Sequence, residues 1–186
     1  MTFDRDRFVE DWVDALDETD ARAAIMEHLT RAVSDHAAVL KGMGEPAEAG
    51  LDVLLRSPRL TIFAAKWAPN MTLSPHNHLM WAMIGIYTGR EDNMFWRRLP
   101  DGSNRIEAAG AKSLGVGDAE PLGRNIIHSV TNPIPRLTGA IHVYGGDFFA
   151  AERSEWDPET LTEGRFDAER LAQRFEAANS ATKQGL

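Results

Sequence analysis

Two histidines, His76 and His78, stand in the spacing His-x-His at the start of a long apolar run that Gly89 closes. On a β-strand, residues i and i+2 project to the same face, so both imidazoles would point one way from a rigid support. Imidazole nitrogens are common ligands of divalent transition metals. The pair therefore indicates a metal site for which the rest of the chain must supply further ligands.

The other histidines divide into two kinds. His28 and His36 fall within a predicted amphipathic helix, and we interpret them as surface or half-buried residues. His128 and His142 fall on two predicted strands that a proline-containing turn joins. A catalytic metal site needs about three protein ligands and open coordination positions. His76 and His78 with one downstream histidine would meet that need.

The pattern of apolar residues predicts helices first and strands afterwards. Residues 4–41 have helical spacing, with a second helix that Thr19 or Asp20 caps and that continues through Leu40. Short apolar runs broken by Gly, Pro, Asn and Asp follow, which is typical of a β-sandwich or barrel. The predicted strands are 60–67, 76–87, 93–98, 106–108, 114–118, 125–130 and 137–144, and a C-terminal helix spans 167–178.

Length and composition restrict the class of protein. The 186 residues predict one domain, with a helical cap over 1–45, a barrel over 51–150 and a tail with a helix over 156–180. The net charge of -8 argues against nucleic acid or an anionic membrane as partner. The chain has no cysteine and no apolar run of membrane-spanning length. We therefore expect a cytoplasmic protein without disulfides or thiolate metal ligands.

Two stretches of the chain resemble the motifs of the cupin superfamily. The first motif is matched by a Pro-His-x-His stretch with a later glycine, and the second by a Gly, Pro-x-Gly and His-x-x-x-Asn series. The residues concerned are Pro75, His76, His78 and Gly89, then Gly115, Pro121, Gly123, His128 and Asn132. The interval between Gly123 and His128 is two residues longer here than in the cupin motif. The resemblance implies a mostly β fold, the cupin double-stranded β-helix, with His76, His78 and His128 as metal ligands.

The position of the usual cupin glutamate falls on Ala82, so a carboxylate ligand is missing. A three-histidine cupin site is similar to that of the cysteine dioxygenase and mercaptopropionate dioxygenase family. The stretch from Gly139 to Tyr144 also resembles the Ser-x-His-x-Tyr triad of that family, with Ala140 in place of serine. The resemblance implies that His142 and Tyr144 handle protons beside the metal.

The resemblance implies an iron(II)-dependent dioxygenase that takes O2 and a small thiol and forms a sulfinate. Arg56 is the preferred candidate for binding a substrate carboxylate, with Arg59 as the second, and Trp81 is a candidate for an apolar wall. Two alternatives stay open at this point. One is a cupin lyase, isomerase or non-thiol dioxygenase that uses zinc, nickel or manganese, and the other is a non-catalytic cupin that binds a small ligand. The sequence does not predict an oligomeric state.

Overall fold

The computed structural model describes residues 4–184, and its N-terminal part is helical. Helices α1 (Arg5–Ala15), α2 (Ala21–Ser34) and α3 (His36–Met43) each begin after an aspartate whose carboxylate accepts hydrogen bonds from backbone N–H groups of the first turn. Asp35 is both the C-cap of α2 and the N-cap of α3. The prediction of one continuous second helix is therefore wrong, because an aspartate favours a new helix start over a helix interior.

Eleven strands follow, and the described residues form two antiparallel sheets. The strands are β1 (Gly50–Arg56), β2 (Thr61–Trp67), β3 (Thr72–Asn77), β4 (Ala82–Thr88), β5 (Arg90–Arg98), β6 (Ile106–Gly115), β7 (Ala119–Leu122), β8 (Ile127–Thr131), β9 (Thr138–Tyr144), β10 (Ser154–Trp156) and β11 (Glu163–Arg165). The first sheet has the order β1-β2-β9-β4-β7 and the second β11-β10-β3-β8-β5-β6. The crossing of chain order between the two sheets is typical of a jelly roll.

The two faces of the first sheet pack against different partners. Alternate residues of β9 divide between them, since Ala140 and Tyr144 belong to the cluster between the sheets while Ile141 and Val143 pack with the N-terminal helices. All seven residues of β9 are buried as a result. Helix α2 lies so close to this sheet that a Cβ at Gly85 would be 2.5 Å from Leu29 Cδ1. The helices thus cover the outer face and leave the inner face to form the site.

The predicted strand 76–87 is interrupted in the structure. Strand β3 ends at Asn77, β4 begins at Ala82, and Leu79 between them has a φ of 58°. An apolar residue at positive φ gives no sequence signal for a turn, because glycine and asparagine are the usual residues there. The predicted strands 106–108 and 114–118 are joined as β6, whereas β1, β7, β10 and β11 had not been predicted.

The C-terminal helix α4 (Ala168–Lys183) covers one end of the space between the sheets. Phe175 is buried and its ring stacks on Trp67 with 5.9 Å between ring centroids, and Leu171 packs against the same cluster. Among the described residues, no helix has the length and apolar character needed to cross a membrane.

Candidate metal centre

Three histidines meet on the inner face of the second sheet. His76 on β3 and His128 on β8 are direct cross-strand partners, and His78 lies one residue beyond the end of β3. One ligand nitrogen from each of the three lies within 4.8 Å of the others, and all three residues are buried. The Nε2 atoms of His78 and His128 are 3.0 Å apart. The structure therefore brings together the three histidines that the sequence had selected.

The hydrogen bonds of these rings leave nitrogen lone pairs available inside the cluster. His76 Nδ1 donates to the Ser74 carbonyl at 2.9 Å, and His128 Nδ1 donates to Asn93 Oδ1 at 2.6 Å. His78 Nδ1 is buried and has no hydrogen-bond partner among the described residues. Two cis ligands at about 2.1 Å from one ion lie about 3 Å apart, close to the separation of the two Nε2 atoms. The residues present thus fit a divalent transition metal.

The surroundings keep these imidazoles neutral, which is the form that binds metals. Burial lowers the pKa of His76 to about 4, and the nearby Arg153 guanidinium acts in the same direction. Burial and the neighbouring histidines hold the pKa of His78 and the pKa of His128 well below the usual value. Near pH 7 the cluster therefore needs to lose no proton before it binds a cation.

Position 82, where the cupin motif usually has a glutamate, holds an alanine. Ala82 on β4 is the cross-strand partner of Tyr144 on β9, and both are buried in the same apolar cluster. The side chain at position 82 is thus small beside Tyr144, and the ring centroids of Tyr144 and His78 are 4.9 Å apart. Among the described residues, the group that could hold a metal contains only the three histidines.

His142 and Tyr144 lie beside this cluster on the inner face of β9. The Tyr144 hydroxyl and His142 Nδ1 are 3.0 Å apart, and both side chains are almost fully buried. Burial raises the pKa of Tyr144, so its hydroxyl keeps its proton at neutral pH. A phenol held by an imidazole next to a metal site can orient or transfer a proton. The structure therefore places the predicted pair beside the three histidines.

Glu91 is a buried carboxylate that the sequence analysis missed. Its Oε2 accepts hydrogen bonds from Trp67 Nε1 at 2.7 Å and His142 Nε2 at 3.1 Å, and its Oε1 accepts from Asn93 Nδ2 at 3.0 Å. Burial favours the neutral acid, but His142 and the other donors outweigh burial and hold the pKa of Glu91 below its usual value. In the structure, buried Glu91 and Asn93 alternate with exposed Arg90 and Met94, a pattern that the uniformly polar sequence of residues 90–93 does not show.

Arg153 is the second residue that was missed, and it is a buried cation. Its guanidinium lies over Phe166 at 3.6 Å and over Phe148 at 4.0 Å, and it donates to the Asn77 carbonyl at 3.5 Å. Burial lowers the pKa of Arg153 to about 10, so it remains charged at neutral pH. Among the described side chains, no carboxylate lies within ion-pair distance of it; Glu155 acts on its charge from further away and is itself paired with Arg170. Because buried cations are normally paired, this guanidinium is available to an anionic ligand.

The residues predicted to bind substrate lie elsewhere. Arg56 is half exposed and pairs with Asp147 at 3.0 Å, and Arg59 pairs with Asp17 at 2.7 Å. Trp81 packs against the helical cap, where the Arg22 guanidinium lies 5.9 Å from its ring centroid. None of Arg56, Arg59 and Trp81 lines the cavity beside the histidines. Their chain order had suggested proximity, but their side chains are directed to other partners.

A small cavity connects the histidines with the other polar groups. It has a volume of about 40 Å³ and is lined by His76, His128, His142, Tyr144 and Arg153 together with apolar side chains such as Phe63. A water molecule needs roughly 10–15 Å³ of such space, so the cavity admits a ligand of only a few heavy atoms. Its walls carry imidazoles, one phenol, the guanidiniums of Arg153 and Arg174 and the Glu155 carboxylate.

Comparisons with known proteins bear on the fold. No protein-family model matches the chain. A cupin family protein with a double-stranded β-helix fold from Methanocaldococcus jannaschii is similar at 10% identity and a TM-score of 0.46, over 56% of this chain and 86% of that one. A conserved double-stranded β-helix protein from Klebsiella pneumoniae has 13% identity and a TM-score of 0.46, over 60% and 82% of the two chains.

An oxalate oxidase in complex with glycolate is also similar, with 14% identity and a TM-score of 0.43, over 56% of this chain and 54% of that one. Identities and TM-scores this low carry no argument about substrate or reaction, and the fold is assigned from the chain itself. Within the chain itself, two antiparallel sheets enclose an inner face and are flanked by N-terminal and C-terminal helices. The predicted mostly β fold, a jelly-roll barrel with N-terminal helices and a C-terminal helix, is thereby confirmed.

Proposed function

We propose that this protein is an iron(II)-dependent dioxygenase that oxidises a small carboxylate-bearing thiol to a sulfinate. The single observation that carries the proposal is the meeting of three neutral histidines with the Tyr144–His142 pair and the buried Arg153 guanidinium, at a small cavity that two of the histidines, this pair and Arg153 line. The choice of iron and of a thiol rests on the resemblance of the histidine and tyrosine motifs to thiol dioxygenases. The carboxylate rests on the buried guanidinium.

The reaction balances as one thiol and one O2 giving one sulfinic acid. Both oxygen atoms are added to sulfur, which is oxidised by four electrons while O2 is reduced, and the thiol proton stays with the product or passes to the protein. The metal, when bound, favours the thiolate form of the substrate and brings sulfur and oxygen together. No further reductant is required.

The side chains of this chain would then divide the remaining tasks. Arg153 would hold the substrate carboxylate through two parallel N–H donors, which fixes the direction in which the rest of the molecule extends. The Tyr144 hydroxyl would donate to or accept from the reacting atoms, and His142 Nδ1 would hold its proton. Phe63 and Phe148 would keep bulk water away from the site.

Oxygen uptake by the iron-loaded protein tests the proposal. We expect consumption with 3-mercaptopropionate or cysteine, slower consumption with cysteamine, which lacks a carboxylate, and one O2 taken up for each sulfinate formed. An iron-loaded protein that consumes no oxygen with any of these thiols would refute the proposal. Tight binding of zinc, nickel or manganese without oxygen uptake would favour another cupin enzyme. Ligand binding that survives removal of the metal would favour a non-catalytic binding protein.

A further inference from the structure

A continuous chain of buried hydrogen bonds joins one histidine of the cluster to the Tyr144–His142 pair. It runs from His128 Nδ1 to Asn93, from Asn93 to Glu91, from Glu91 to His142 Nε2, and from His142 Nδ1 to the Tyr144 hydroxyl. The two ends lie on different sheets, since His128 is on β8 and Tyr144 is on β9. Glu91 is the one acidic group in this chain of contacts.

The direction of the hydrogen bonds follows from the donors that surround Glu91. Trp67 Nε1 can only donate, and it shares Oε2 with His142 Nε2 while Asn93 Nδ2 faces Oε1. A carboxylate accepts all three bonds, whereas a carboxylic acid would have to donate one of them. An acceptor-only group at this point therefore turns the Asn93 amide so that its nitrogen faces Glu91.

The orientation of Asn93 in turn fixes the tautomer of His128. With its nitrogen toward Glu91, Asn93 presents Oδ1 to His128 Nδ1 at 2.6 Å, so Nδ1 must carry the proton. The lone pair of His128 is then on Nε2, the atom that lies 3.0 Å from His78 Nε2. A ligand imidazole whose other nitrogen is held in this way is oriented and more basic.

We infer that Glu91 is a positioning residue that, through Asn93, holds His128 in the tautomer and orientation that bind the metal, and that also holds His142 Nε2–H. This inference rests on the metal centre of the proposed function, but not on the thiol or on the oxygen chemistry. It assigns one carboxylate to both halves of the site, although that carboxylate contacts neither the metal ligands nor the cavity directly.

The variant Glu91→Gln keeps the shape of the side chain but reverses its hydrogen bond with Asn93 and, through Asn93, the bond with His128. Its amide oxygen can keep Trp67 and His142, so its nitrogen must face Asn93, which then rotates and presents Nδ2 to His128. His128 Nδ1 has to accept, its proton moves to Nε2, and Nε2 can no longer bind a metal. We expect iron(II) affinity to fall about 10- to 100-fold, the usual effect of losing such an outer partner.

The double variant Glu91→Gln with Asn93→Asp restores the donation from His128 Nδ1, because the introduced carboxylate accepts both from His128 and from the introduced glutamine; only the bond between positions 91 and 93 stays reversed. Anaerobic iron(II) binding, measured by competition with a colorimetric chelator, should be weak in the single variant and return to within a few-fold of wild type in the double variant. Glu120→Gln, which removes only a surface pairing with Lys112, is the matched control and should bind as wild type.

Asn93→Ala is a second route to the same loss, should the glutamine variant fold poorly. It removes the acceptor of His128 and should also weaken iron(II) binding about 10- to 100-fold. Wild-type affinity in Glu91→Gln and Asn93→Ala, or a double variant as weak as Glu91→Gln, would overturn the inference. A wild-type protein that binds no iron(II) would instead overturn the proposed function, so the two failures are distinguishable.

Discussion

The four buried histidines of the barrel occupy two contrasting environments. His76, His78 and His128 contact one another with one ligand nitrogen of each close together, and His78 Nδ1 has no hydrogen-bond partner among the described residues, which favours a shared cation. His142 lies on the opposite sheet, where one nitrogen faces the Glu91 carboxylate and the other faces a hydroxyl. The first three histidines can therefore share a cation, whereas both nitrogens of His142 already have hydrogen-bond partners.

This difference separates ligands from proton-handling residues on physical grounds. A metal ligand needs a free lone pair directed at a common point, and its outer nitrogen needs an acceptor. His76 and His128 meet both conditions, while both nitrogens of His142 are engaged by side chains that no metal would replace without breaking the contact with Glu91 or Tyr144. The predictions below test this division.

Removal of a ligand should have the largest effect. We expect His76→Ala, His78→Ala and His128→Ala each to weaken metal binding by far more than the ~10–100-fold typical of an outer partner, because a three-ligand site loses one third of its donors. Metal content after dialysis, with His28→Ala on helix α2 as control, is the measurement. Full metal content in His128→Ala together with loss in His142→Ala would reverse the assignment of the third ligand.

Removal of His142 should keep the metal and lower the activity. We expect His142→Ala to retain one metal ion per chain while the turnover number falls roughly 10²- to 10⁴-fold, the range for a residue in acid–base catalysis. Metal analysis and oxygen uptake on the same sample give both values. Unchanged turnover in this variant would exclude a role for His142 in proton transfer.

Arg153 should determine which substrates bind. We expect Arg153→Met to raise the KM for 3-mercaptopropionate roughly 30-fold or more, since truncating one partner of a buried charge pair costs about 2–5 kcal/mol. The KM for cysteamine should change little, because cysteamine has no carboxylate. Arg56→Met, in which an exposed ion pair with Asp147 is lost, is the control. Equal effects of Arg153→Met on both substrates would contradict the assignment.

The last prediction concerns the pH dependence of the stability of the metal-free protein. His76 has a lowered pKa of about 4 in the folded chain against 6.5 for a free side chain, so only the unfolded state binds its proton in between. Stability should be complete above pH 6.5 and decrease as the pH falls toward 4, by about 3 kcal/mol from His76 alone. Urea unfolding at several pH values measures this slope, and His76→Gln should flatten it. Equal stability at pH 7 and pH 4.5 would be inconsistent with neutral buried histidines.

Much of the site was predictable because its residues lie close together in short motifs. A strand places residues i and i+2 on one face, which applies to the His-x-His pair and to the His-x-Tyr pair on β9. His128 was selected through the resemblance to the second cupin motif. Glu91 was not predicted because it stands in the charged series Arg90-Glu91-Asp92, which is typical of a solvated turn. Only its alternation with exposed neighbours distinguishes it as an inward residue.

Arg153 and the break at Leu79 show a different kind of failure. Arg153 precedes the short strand β10, and its burial depends on Phe148 and Phe166, whose proximity only the fold creates. Leu79 takes a positive φ because the chain must turn between β3 and β4, a demand of the two sheets and not of the residue. Tertiary contacts decide such positions, so the local sequence carries no sign of them.

The central claim is that one metal ion is held by three histidines without a carboxylate. A crystal structure of the iron(II)-loaded protein, prepared without oxygen, tests it directly through the anomalous signal of iron. We expect one iron peak within about 2.0–2.2 Å of a nitrogen of each of His76, His78 and His128, with the Glu91 carboxylate still hydrogen-bonded to His142 and Asn93. An iron peak that lacks one of the three histidines, or that has Glu91 as a ligand, would contradict it.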